Sequence, residues 1–309
     1  MTTGQLACYK TGQIKNSQHP YAQLLFYKNQ RMSEAWNPEF SGQSPAFAPL
    51  RAVARELHGP AWPGCDDFNR LLAARISPIV NAAGLPLRFV AQAPRAAAFE
   101  DGYEPRIFLR GEVQFRAQEW HDVFNALVWL TFPRTKAALN ERQYRALERQ
   151  HADGARNRGP AQDALTLLDE SGVIVATSDP ALGELLANHA WQELFWQRRA
   201  EVAEHMQFYL LGHGLYAKML QPFTGVTGRG MPCVVSADFM ALPLAAQLEH
   251  LDTQVAARIG NPAREIAARE LTPVPLLGIP GWCADNEQPR YYDNSAYFRP
   301  LLPSRAGRR

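Results

Sequence analysis

Trp120-His121-Asp122-Val123-Phe124-Asn125-Ala126-Leu127-Val128-Trp129-Leu130-Thr131-Phe132-Pro133-Arg134-Thr135-Lys136-Ala137-Ala138-Leu139-Asn140 reads as helix, break, helix. The first helix runs from about Glu119 to Thr131, and its apolar length is core. Pro133 forces the break, because its ring clashes with the preceding turn. A second helix is expected from about Thr135 to Gln150. Polar groups able to do chemistry stand at the head of the first helix, and two cations follow the proline. Burying such groups costs free energy unless they are paired or used.

Outward from this stretch the pattern stays mostly helical. Pro49 to Leu57 and Cys65 to Ala83 have helical spacing, and Asp66 or Asp67 can cap the second of these. Leu87-Arg88-Phe89-Val90 alternates as a strand, and Arg106 to Val113 suits a short strand or turn. Ala164 to Asp169 and Val173 to Thr177 flank Glu170-Ser171-Gly172, which reads as a β-hairpin. Ser178-Asp179-Pro180 starts a helical region that fills most of 180–220. Cys233-Val234-Val235 is a short strand, and Leu244 to Ile259 a helix. The last 40 or so residues are rich in Pro, Gly and aromatics and suit an irregular, packed segment. Strands and helices do not alternate regularly. The expected class is α+β, a helix-rich single domain with a small antiparallel β-hairpin element and an irregular C-terminal segment.

One domain over 45–302 is expected, after a disordered or irregular tail over 1–44 and before a basic tail over 303–309. Met32 opens Met32-Ser33-Glu34-Ala35-Trp36 after a polar, unpatterned stretch, and suits a true start. The composition is 46% hydrophobic and 20% charged, as in a globular protein. The net charge is +2, from 32 basic and 30 acidic residues, and gives no whole-chain reason to expect nucleic acid as a partner. No apolar run approaches the roughly 20 residues that span a bilayer. Cys8, Cys65, Cys233 and Cys283 are scattered without a CxxC pair. Reduced thiols in a cytoplasmic protein are the simplest reading.

His121 and Asn125 lie four apart, on one helical face. With Asp122 between them they have the outline of a zinc-protease motif, but Asn125 stands where the second histidine belongs and is a weak zinc ligand. The better reading is His121 as general acid or base, with a neighbour fixing its tautomer. His213, between Gly212 and Gly214, shares one helical face with Val202, Met206, Tyr209 and Ala217, which places it on the buried stripe. The two glycines would let another backbone or a ligand come close.

Arg134 and Lys136 open a segment, 134–158, with seven basic residues (Arg134, Lys136, Arg142, Arg145, Arg149, Arg156, Arg158) against Glu141, Glu148 and Asp153. Arginines of this kind hold phosphate or carboxylate. Arg142, Arg145 and Arg149 read better as a solvated helix face, which leaves Arg134 and Lys136 as the anion-holding candidates. Asp163 and Asp169 suit a hard metal ion or acid–base work, whereas Glu170 reads as turn chemistry. Asn140, Lys218, Trp282, Asn286 and Asp293 complete the candidate substrate contacts, although the C-terminal segment reads first as a structural clamp. No GxSxG elbow, P-loop or HExxH is present, and Gly225-Val226-Thr227-Gly228-Arg229-Gly230 does not have dinucleotide-binding spacing.

Trp120-His121-Asp122 through Asn140, the stretch from Asp163 to Gly172, Glu193-Leu194-Phe195-Trp196 with Arg198-Arg199, Gly212-His213 with Leu215-Tyr216 and Lys218, and Gly278-Ile279-Pro280-Gly281-Trp282 through Pro300 together resemble a bacterial domain-of-unknown-function family, DUF 3025. The blocks span roughly 45–302. Ala217 and Cys283 depart from the family pattern, which makes Cys283 a poor nucleophile. The resemblance implies no activity, cofactor or catalytic residue.

The residues favour a hydrolase-type enzyme acting on an anionic small molecule or nucleic acid. His121 and His213 would do acid–base work with Asp122 and Asn125 beside them, Arg134 and Lys136 would hold the anion, and an Asp would orient a histidine or bind a metal. No cofactor is named by any motif. The alternative is a non-catalytic module that docks an acidic partner through 134–158. Convergence of His121, Asn125, Arg134 and His213 in one cleft separates the two.

Overall fold

A computed structural model of the chain describes residues 35–93, 98–154, 159–264 and 266–301. Met32, the tail 303–309, Cys8, Arg156 and Arg158 lie outside them. Packed structure begins earlier than residue 45. Trp36 and Phe40 are buried, with ring centroids 5.0 and 5.2 Å from Trp120. Aromatic rings bury too much apolar area to be left on a loose lead-in. The irregular tail expected over 1–44 therefore gives way to core by Trp36.

A 3-10 turn at Pro45–Leu50 leads into α1 (Arg51–Ala54). Helix α2 (Cys65–Ala73) is shorter than its sequence pattern, and Asp67 accepts from the Gly64 amide at its start. Strands β1 (Arg88–Ala91) and β2 (Glu112–Phe115) pair in parallel across α3 (Tyr103–Arg110). Most of the strand or turn expected over 106–113 is thus helix. Pro105, Ile107 and Phe108 are its buried residues, and Gly111, at φ 67, ends it in the left-handed region.

Helix α4 (Trp120–Thr131) is buried along nearly its whole length. Phe132 leaves helical geometry at φ −123, ψ 58, and Pro133 then opens α5 (Pro133–Ala152), where its missing N–H costs nothing. The next free amides, of Arg134 and Thr135, donate to the Asp252 carboxylate at 3.0 and 2.8 Å. A distant acid thus caps the helix start and locks α5 against the helix that carries Asp252.

The remaining elements are α6 (Pro160–Ser171), β3 (Gly172–Thr177), α7 (Pro180–Ala187), a π-turn at Glu193–Gln197, α8 (Arg199–His205), β4 (Met206–Leu210), α9 (His213–Met219), β5 (Thr227–Val234), α10 (Leu244–Gly260) and β6 (Thr272–Pro275). They build a four-stranded sheet in the order β4-β3-β5-β6. Strand β3 is buried throughout and runs antiparallel to β4 and parallel to β5, while β5 and β6 are antiparallel. The class is helix-rich α+β.

Two local readings change. The hairpin over 164–177 does not form, because Ala164, Leu165 and Leu168 are buried at helical spacing on α6. Its Ala and Leu residues favour helix, and the β-branched run begins only at Val173. The single helical face through Val202, Met206, Tyr209, His213 and Ala217 is broken by β4, which pairs residue by residue with β3. His213 instead opens a new helix after Gly212.

Candidate functional site

Helix α6 ends at the edge of the sheet, and this puts Asp169 and Glu170 directly before β3. The Gly212 amide donates to Gly172 O at 2.9 Å, so the start of α9 lies against this junction. A Cβ on Gly212 would overlap the backbone of residues 170–172, and one on Gly214 would overlap the Glu170 carboxylate. Glycine at both positions lets His213 reach Glu170. Helix α4 supplies His121 from the other side. Its imidazole meets that of His213 edge-on, with centroids 4.5 Å apart.

His121 Nδ1 lies 3.1 Å from Asp122 Oδ1, and Nε2 lies 3.4 Å from Glu170 Oε2. His213 Nε2 lies 3.5 Å from Glu170 Oε1, and Nδ1 lies 3.8 Å from Asp169 Oδ2 without a hydrogen bond. Each outer carboxylate is anchored by a cation. Arg116 grips Asp122 through its backbone amide and guanidinium at 2.6–3.0 Å. Lys136 Nζ sits 2.5 Å from Asp169 Oδ1. The hydrogen-bonded chain Arg116–Asp122–His121 thus meets His213 at Glu170, and the Lys136–Asp169 pair stops short of His213 Nδ1. Burial opposes a charge on His121, but hydrogen bonds to Asp122 and Glu170 outweigh it and lift its pKa to about 9. Burial also opposes ionisation of Asp122 and Glu170. Bonds to the histidines, and to Arg116 for Asp122, prevail and hold Asp122 at about 2 and Glu170 far below the usual carboxylate range.

This cluster lies in a cleft of about 480 Å³. Its walls carry Tyr103, Glu104, Asn125 and the glutamines Gln92, Gln114, Gln143 and Gln162. Asn125 Nδ2 donates to Tyr103 Oη at 2.7 Å, and its buried Oδ1 has no hydrogen-bond partner. Burial of the hydroxyl and the Glu104 carboxylate raise the Tyr103 phenol well above its usual range, although the residue as a whole is 37% exposed. A larger groove of about 610 Å³ lies by Arg75, Arg134 and Asp252. Asp252 is already spent there on the α5 amides and Arg75 on Leu130 O, so no reactive groups converge.

His121, Asp122, Asn125, Asp169 and His213 share the cleft. Asn140 borders it from behind: buried, it donates to Glu104 O and Oε2 at 3.0 and 2.7 Å. The expected anion pair is not assembled. Lys136 is 3% exposed and committed to Asp169, while Arg134 faces α10, bonding Thr253 and lying 3.7 Å from Glu249. Asp163 and Lys218 are exposed outside the cleft, as is Asp293. Asn286 is wholly buried and holds Leu277 O, Ile279 O and Arg199, and Trp282 packs by Ile279 and Met206. Those C-terminal residues form a clamp, not a lid.

Glu170, the hub of the cluster, reads in the sequence as turn chemistry, and Arg116 and Tyr103 carry no signal there. A signal for Glu170 exists: Gln162, Thr166, Asp169 and Glu170 fall on one polar helical face, with Leu165 beside it and Ala164 and Leu168 opposite. Tyr103 and Arg116 come from separate segments and meet the site only in the folded chain.

Residues 87–302 match the profile of a family described as proteins of unknown function (DUF3025). The chain belongs to the DUF3025 family. No curated protein and no solved structure matches it. All of the cluster, from His121 through Asp169 and Glu170 to His213, falls within the DUF3025 region. Among the described residues no helix is long and apolar enough to cross a membrane.

Proposed function

We propose that the cleft is the active site of a hydrolase-type enzyme acting on an anionic substrate, one bearing phosphate or carboxylate. The observation that carries this is the meeting of His121, Glu170 and His213 on one wall of a cleft whose lining adds the charged Glu104, Arg116, Asp122 and Asp169 and several neutral hydrogen-bonding groups. Asp122 fixes the His121 ring through Nδ1, so that Nε2 is the working atom. Among the described residues the lining contains no Ser or Cys, and the Thr166 hydroxyl donates to Gln162 O. Water activated by the cluster is the attacking group in this reading, with no Ser or Cys of the described lining to form an acyl-enzyme. The substrate's charge falls to Arg116, whose Nη1 makes no hydrogen bond among the described residues.

The docking alternative rests on the same basic segment, in which Arg134 bonds Thr253 of α10, Arg145 bonds Glu148 one turn on, and Arg142 bonds the carbonyls of Asn261 and Arg264. A cytoplasmic setting fits Cys65 and Cys233, which are free thiols. The test is turnover of a panel of phosphate esters and carboxylate-bearing amides and esters. Wild type should hydrolyse at least one class, and His121→Ala should lower kcat/KM by about 10²-fold or more while keeping the fold. No turnover on any class, with no thermal shift by any anionic ligand, favours the scaffold. Turnover unchanged in His121→Ala sinks the site.

A further inference from the structure

The distances in the cluster suit metal ligation better than hydrogen bonding. N–H···O bonds cluster near about 2.9 Å. His121 Nε2 and His213 Nε2 instead stand 3.4 and 3.5 Å from the two Glu170 oxygens. Ligands held at about 2.1 Å around a tetrahedral ion are about 3.4 Å apart. One ligand atom from each of the three side chains lies within 4.8 Å of the other two.

We propose that His121, Glu170 and His213 bind a divalent transition-metal ion such as Zn²⁺, leaving a coordination position open to the cleft. This rests on the reading of the cleft as the active site and deepens it. Two imidazoles and one carboxylate with an open fourth position are the donor set of a hydrolytic rather than a structural zinc site. The ion enters from the cleft, because the His121 and Glu170 side chains are 39% and 44% exposed while His213 is 6% exposed. Asp122 stands 3.1 Å behind the His121 imidazole, where the outer partner of a metal-bound histidine is found, and Asp169 is the carboxylate nearest the unbonded His213 Nδ1, at 3.8 Å.

Charge points the same way. Among the described residues, Glu104, Asp122, Asp169 and Glu170 face Arg116 and Lys136 as fixed cations, an acidic excess that disfavours an anion in the bare cleft. A dication at Glu170 would cancel that excess and polarise the bound water and the substrate oxygen.

The experiment is Co²⁺ and Zn²⁺ titration of the full chain after chelation, read by calorimetry, by elemental analysis and by the visible absorption of bound Co²⁺. One ion per chain is expected, with the Co²⁺ band lost in His121→Ala and in Glu170→Gln. Both side chains are partly exposed, so these variants keep the fold, as circular dichroism will verify. Asp122→Asn should retain the site with affinity weakened about 10–100-fold. No stoichiometric ion, or one that survives both substitutions, overturns the proposal. So does hydrolysis that persists after complete chelation, which would leave the acid–base reading standing. A bound ion lost in both variants, without turnover of any substrate class, supports the metal site and sinks the hydrolase reading.

Discussion

Lys136 carries its ammonium into the core, 2.5 Å from the Asp169 carboxylate and 5.5 Å from the centre of the Trp129 ring. Removing one member of a buried pair leaves the other charge without compensation. Lys136→Met should therefore lower unfolding free energy by about 3–5 kcal/mol in urea, and adding Asp169→Leu should restore most of it. A Lys136 that binds substrate would instead lose turnover with little change in stability. Glu112 makes a pH-dependent counterpart away from the cluster. Burial opposes its charge, but hydrogen bonds to Arg106 and Arg88 prevail and hold its pKa below 4.5. A depressed carboxylate stabilises the fold above its unfolded pKa and loses that contribution as pH falls through the folded value. Glu112→Gln should cost about 1–3 kcal/mol near neutrality, chiefly through Arg106. The gap between variant and wild type should close as pH falls below 4.5. A gap that stays constant would mean the loss is one of packing.

At the scale of elements, the α6–β3 junction and the start of α9 position the cluster together. Gly212 and Gly214 make opposite predictions there. A Cβ at 212 meets backbone that cannot move, so Gly212→Ala should lower stability by about 3 kcal/mol. A Cβ at 214 meets the end of the flexible Glu170 side chain, which can swing aside. Gly214→Ala should leave thermal stability nearly unchanged while weakening Co²⁺ binding and turnover by about 10-fold. Equal loss of stability in both variants would show that Glu170 is itself packed as structure.

For the whole molecule, the C-terminal segment closes the core and not the cleft. Asn286 Nδ2 holds Leu277 O and Ile279 O at 2.8 and 2.7 Å, Tyr292 Oη donates to Gly278 O at 2.9 Å, and Trp191 Nε1 donates to Arg299 O at 2.9 Å. Asn286→Ala strands two buried carbonyls and should cost roughly 2–3 kcal/mol. Turnover per folded molecule should hold, because none of these residues lines the cleft. A selective loss of kcat at full stability would place the segment in the site after all.

The elements whose hydrophobic period is long and whose ends are marked were legible in the chain itself. The helix–proline–helix of 120–152 follows from continuous apolar residues and a proline that has no N–H to donate, and α10 from its length. The family and the α+β class also follow from ordered local blocks. His121, Asp122, Asn125 and His213 stood out as polar groups on apolar ground, for the reason that burial of such groups is costly. The structure alone decided their partners. Strand β4 is five residues long, so its pairing with β3, not its period, determines it. Glu170 gains its place because two glycines let α9 approach its helix end. Lys136 is tied to Asp169, 33 positions on, and Arg134 to α10. Those ties depend on distances between remote segments, and a linear pattern carries no information about such distances.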